Sequence, residues 1–155
     1  MSMLVVLVVI GCVGFAAYNR HSQEGARLRK AATQLTAPTG WRLVGREEDK
    51  GSNFICFISC PHVEISLWYQ TSAVPHGACD AIRAQVGFDI AVARNVSWDA
   101  GCGWRAPLNS VGTRADVRAF ALPGESVGRV SALPDGLIPN GNKTYVRVTF
   151  SGGPT

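Results

Sequence analysis

The residues best able to do chemistry in this chain are two thiols and an imidazole in one short stretch, Cys56-Phe57-Ile58-Ser59-Cys60-Pro61-His62. Thiolates are soft ligands suited to Cu(I), and a neighbouring imidazole can complete such a site. The same two thiols can instead close a disulfide, under a geometric condition. Four residues along an extended strand separate two Cα atoms by ~13 Å, beyond the ~7 Å that a disulfide can bridge. Residues 56–60 would therefore have to turn. Cys79 and Cys102 supply a second pair, and an even set of domain cysteines suits an oxidising compartment. Spacing alone leaves the connectivity open. The expected pairing is Cys56–Cys60 with Cys79–Cys102; the alternative is a copper or thiol-redox site made by Cys56, Cys60 and His62. Cys12 stands apart in an apolar run, where a thiol behaves as a small hydrophobe.

The C-x-x-x-C-P spacing of Cys56, Cys60 and Pro61 resembles the copper-binding motif of the Sco family, anchored copper chaperones with a thioredoxin-like fold. The resemblance covers these few residues. It implies a motif that opens a helix and a metal-binding histidine far downstream. Here a strand pattern follows Pro61, and the last histidine is His76. Gly124-Glu125-Ser126-Val127-Gly128 matches the G-x-S-x-G string, but that chemistry needs a histidine after the serine, and none follows. Gly101-Cys102-Gly103-Trp104 imitates a dinucleotide loop, yet Pro107 stands where a helix should begin, so a plain loop is expected. Carboxylates are scattered apart from Glu47-Glu48-Asp49, and no general acid–base pair stands out. Of the four tryptophans, Trp68 falls on the polar side of its strand pattern. That marks it as an exposed partner surface, because tryptophan is enriched at interface hot spots.

These groups are positioned by a chain with two unlike parts. Residues 1–18 carry no charged side chain. As a helix they span about 27 Å, close to the ~30 Å hydrocarbon core of a bilayer. Met1-Ser2-Met3 lacks the charged start of a cleaved signal, so an uncleaved anchor is expected. Arg20, Arg27, Arg29 and Lys30 follow, against Glu24, for a net +3 over residues 19–30. Such a cluster suits anionic head groups, at roughly 1 kcal/mol per basic residue. The remaining eleven Lys and Arg face ten Asp and Glu. The overall +4 is thus no basic face on the folded part, and a nucleic-acid partner is not expected. The basic flank argues for a cytoplasmic domain and the cysteines for an oxidising one; the extracytoplasmic side is the expectation.

Beyond the anchor, Leu28, Ala31, Ala32 and Leu35 recur at helical spacing, ended by Ala37-Pro38-Thr39-Gly40. Strands are expected at 41–44, 62–70, 88–96, 114–122 and 143–150, with a helix over 75–87 and a polar loop over 47–53. Pro123-Gly124 reads as a strand stop. Asp135-Gly136 and Asn140-Gly141 read as turns, the second with a hairpin signal. The expected fold is α+β: an N-terminal transmembrane helix, then a small, mostly antiparallel β-sheet domain with one packed helix. The domains are a 1–18 anchor, a 19–37 basic helical stalk and a 38–155 extracytoplasmic domain.

The layout of an anchor at 3–18, a basic stalk at 19–35, Pro38-Thr39-Gly40-Trp41, Cys56 with Cys60-Pro61, and Cys79 with Cys102 resembles small single-pass, membrane-anchored, cysteine-containing bacterial proteins. The resemblance implies a cell-membrane location and no activity. By subtraction, the expected role is non-enzymatic: a binding or scaffold domain at the cell envelope, with the lipid bilayer and a membrane or envelope protein as partners. The rival is an anchored copper-binding or thiol-disulfide protein.

Overall fold

A computed structural model describes residues 22–49, 63–85, 94–98, 101–108, 115–130 and 133–152. A first helix, α1, covers 22–34. It is followed by β1 (Arg42–Asp49), β2 (Glu64–Thr71), α2 (Pro75–Gln85), β3 (Arg94–Trp98), β4 (Gly101–Pro107), β5 (Asp116–Pro123), α3 (Gly124–Val130) and β6 (Thr144–Ser151). The strands form one six-stranded sheet in the order β1-β2-β6-β5-β4-β3. Every neighbouring pair is antiparallel. The last strand is therefore central, closing the sheet between the β1–β2 hairpin and the β3–β4–β5 meander.

The antiparallel sheet with helices is the expected α+β architecture. Among the described residues no helix is long and apolar enough to cross a membrane; the expected anchor, 1–18, lies outside them. More than one helix is present, because Leu28, Ala31, Ala32 and Leu35 are buried in the main core beside Ile65, Leu67, Val146, Val148 and Phe150. The part of the stalk over 22–35 is thus built into the domain. An amphipathic helix gains most of its stability from burying such a stripe. Residues 38–41 then turn, with Trp41 N donating to the Pro38 carbonyl at 3.1 Å. Gly40 takes a φ of 82°, the conformation a type II turn requires at that place.

α2 packs on the same face of the sheet as α1. Ala78, Cys79 and Ile82 form its buried side, and the Cys79–Cys102 disulfide ties it to β4. Trp104 Nε1 adds a hydrogen bond to the Cys79 carbonyl at 3.3 Å. β4 corrects the plain loop expected at Gly101-Cys102-Gly103-Trp104. Its alternation of buried Cys102, Trp104 and Ala106 is a strand pattern. β1 runs on through Glu47 to Asp49 in place of the expected polar loop. It is an edge strand, where charged side chains are tolerated and discourage further pairing.

The opposite face carries a second, smaller core of Trp68, Leu122, Val127 and Tyr145. It is covered by α3 and by the 133–140 segment, through Leu133 and Leu137. Pro123-Gly124 is therefore a strand-to-helix junction. Gly124 accommodates it because a Cβ there would collide with the Asn140 carbonyl. Asn140 and Lys143 close a turn, Lys143 N to Asn140 O at 3.0 Å, that leads into β6 without making a β5–β6 hairpin.

Candidate binding face

Trp68 is the first correction at the level of sites. Alternation places it on the polar side of β2 as expected, but that side is covered at its position, and Trp68 is fully buried. Its ring meets Phe120 edge-on at 5.9 Å, and the Arg147 guanidinium sits 5.4 Å from the ring centroid. Its Nε1 donates to Glu47 at 3.0 Å. Trp68 is a packing residue, with no exposed surface to offer a partner.

The remainder of that face, toward the end of the sheet where β2 and β5 begin and β6 ends, is polar. Register sets its side chains in rows. One row runs Glu64, Ser151, Asp116 across β2, β6 and β5. The next runs Glu47, Ser66, Thr149, Arg118, Arg105 across β1, β2, β6, β5 and β4. Ser66 accepts from Arg147 Nε at 3.0 Å and shares a 2.9 Å hydrogen bond with Thr149. Arg147 also reaches Glu64 at 3.1 Å. Ser151 Oγ donates to Asp116 at 2.7 Å, and both Arg105 and Arg118 pair with the same carboxylate. Hydroxyls and carboxylate lie low and buried, while the Arg105 and Arg118 side chains remain 61% and 50% exposed.

The register therefore places two arginines, Arg105 and Arg118, at facing positions on adjacent strands. Like charges directly opposite one another repel across an antiparallel pair. Asp116 offsets part of that repulsion, but it is one carboxylate between two guanidinium groups. Chemically this surface can bind oxyanions, since guanidinium forks match carboxylate and phosphate geometry.

The other sequence-level candidates separate. Cys79 and Cys102 form the disulfide, with Cα atoms 6.3 Å apart. Cys56, Cys60 and His62, whether as a disulfide or as the alternative copper site, lie outside the described residues, as does Arg20. Among the described residues, no group of three or more His, Cys, Asp or Glu side chains could hold a metal ion. Arg29, expected at a membrane surface, bonds Glu48 on β1 at 2.7 Å; Arg27 and Lys30 are exposed on α1. The G-x-S-x-G string forms the start of α3, with Ser126 inside the helix, where no elbow presents it. Cys102 and Gly103 are interior sheet, paired on both sides, and Gly101 pairs with Trp98 of β3.

Arg105, Arg118, Asp116, Arg147 and the hydroxyl row escape a reading of motifs because no motif joins them. Asp116 and Arg118 alternate visibly on the 114–122 strand pattern. The signal that would have added Arg105 is the Cys102-x-Trp104-x-Ala106 alternation, which makes residues 101–107 a strand and Arg105 a member of its other face. No protein-family model matches the chain, and no curated protein or solved structure matches it.

Proposed function

We propose that this protein is a membrane-anchored, disulfide-stapled domain on the extracytoplasmic side, with a non-enzymatic binding or scaffold role at the cell envelope. The observation that carries the reading is the uneven cover of the sheet. Two helices bury one face, α3 and the 133–140 segment bury an end of the other, and the remaining polar area presents guanidinium groups to solvent. The Cys79–Cys102 disulfide supports an oxidising compartment, since such bonds persist there and are rare in the cytosol. The anchor is argued from the uncharged run at 1–18. On this reading the exposed Arg105 and Arg118 side chains meet carboxylate or phosphate groups of the partner.

The experiment is thiol labelling in native membranes. The account expects the chain to stay in the membrane pellet after an alkaline wash, with Cys79 and Cys102 alkylated only after reduction. Free alkylation of both without reductant, or release by the wash, would count against it.

A further inference from the structure

We propose that Asn140 is a site of spontaneous deamidation, in which the backbone nitrogen of Gly141 attacks the Asn140 side chain and a carboxylate replaces the amide. Both residues are exposed in the turn that enters β6. Water is the only co-reactant. The Gly141 nitrogen gives its proton to hydroxide and bonds to Asn140 Cγ. The Cγ–Nδ2 bond breaks, and Nδ2 takes a proton from water and leaves as ammonia. The resulting five-membered imide then opens by adding water at either carbonyl. Cleavage of the new bond gives aspartate. Cleavage of the old peptide bond gives isoaspartate, with the chain rerouted through Cγ. Asparagine is depleted from heat-adapted proteins because its side chain is labile.

The turn favours this attack in two ways. The space that a Cβ would take at Gly141 is open, so no side chain crowds the nucleophile. Among the described residues no backbone carbonyl holds the Gly141 N–H. The electrophile is polarised as well, because Asn142 N donates to Asn140 Oδ1 at 3.0 Å. Negative charge develops on Oδ1 as the nitrogen adds, and an N–H already aimed at that oxygen stabilises it. Asn142 provides the contrast within the same turn. It is also exposed, but attack there needs the Lys143 nitrogen. That nitrogen donates to Asn140 O at 3.0 Å, and its residue carries a side chain bonded to Ser72. The product bears on the fold. Asn140 N donates to the Tyr145 hydroxyl at 2.9 Å, and Asn140 O faces Gly124 at the start of α3. Isoaspartate adds a methylene between this nitrogen and this carbonyl, so the turn must give up one of the two contacts. The cover that Leu133 and Leu137 place over Trp68 and Tyr145 then loosens as the chain ages.

The test ages the full chain in detergent and mildly alkaline buffer, folded and, in parallel, unfolded in urea. Peptide mass spectrometry reads each asparagine, with fragmentation that separates aspartate from isoaspartate. In the folded chain Asn140 should convert to both products, several-fold faster than Asn142. Gly141→Ala should slow the conversion several-fold. The open space and a φ outside the left-handed region let the added methyl fit, so this variant keeps the fold. A folded chain whose Asn140 persists while the urea-unfolded chain converts overturns the proposal, since the turn then protects the residue. Conversion to aspartate alone overturns it too, because direct hydrolysis then replaces attack by Gly141. Equal folded-state rates at Asn140 and Asn142, or an unslowed Gly141→Ala chain, contradict it as well.

Discussion

Arg105 on β4 and Arg118 on β5 stand directly opposite one another, and both guanidinium groups reach the one carboxylate of Asp116. Two like charges in facing positions are a cost that most sheets avoid. Here the carboxylate lowers that cost. Asp116→Asn keeps an acceptor for Ser151 but withdraws the charge. It should destabilise the domain by about 1 kcal/mol at low salt, within the range of a cross-strand charge pair. The loss should shrink in 1 M salt, where the Debye length falls to ~3 Å. Adding Arg105→Gln to Asp116→Asn should recover part of the stability. Urea unfolding of the variants at two salt concentrations measures this; a salt-independent loss would point to hydrogen bonding alone.

Trp68→Ala should act on the fold rather than on partner binding. The side chain is fully buried between Phe120, Arg147 and the cover formed by α3. Truncating a buried tryptophan typically costs about 3–5 kcal/mol. Trp68→Phe should cost less, since it keeps the packing and gives up the bond from Nε1 to Glu47. Chemical denaturation distinguishes the two. A Trp68→Ala domain of unchanged midpoint would contradict the buried placement.

The disulfide should matter in proportion to the loop it closes. Cys79 and Cys102 are separated by 23 positions, and chain entropy assigns a loop of that size roughly 3 kcal/mol. Cys79→Ser with Cys102→Ser should lower stability by about that amount. Dithiothreitol should reproduce the loss in the native chain, as far as this bond is concerned, and add little to the double variant. A reductant effect of full size in the double variant would assign the stabilisation to other cysteines.

Burial pushes the Tyr69 phenol above its ordinary range. The folded state thus favours the neutral form more than the unfolded state does. The stability tied to this phenol is fully present below the unfolded pKa, near ~10. It is lost as pH rises through the raised folded value. Unfolding midpoints followed upward from pH 8 should fall for the native chain above pH ~10 and fall less for Tyr69→Phe. Parallel curves would remove Tyr69 as a source of the alkaline loss.

Much of the fold is legible in local pattern. The alternation over 62–70 and 143–150 places β2 and β6, Pro75 marks the first turn of α2, and the Leu28-Ala31-Ala32-Leu35 stripe marks α1 as a helix with a face to bury. What pattern does not show is which face of the sheet is covered, and where. Trp68 reads as exposed because its strand neighbours are polar; the cover comes from α3, hidden behind a Pro-Gly pair that reads as a stop. The arginine row is invisible for a related reason. Its members lie on two strands, and only the register of β4 and β5 makes them neighbours. Motif strings mislead in the opposite direction: G-x-S-x-G and Gly-x-Gly are present as letters, but lie in a helix start and an interior strand.

The central claim is that the protein works by binding through the open face of its sheet. A photo-crosslinking residue at position 118 or 105, with position 84 on the exposed side of α2 as the control, tests this in the membranes of cells that make the protein. The account predicts ultraviolet-dependent adducts, with lipid or protein, from 118 and 105 and none from 84. Adducts from 84 with none from 118 and 105 would contradict it.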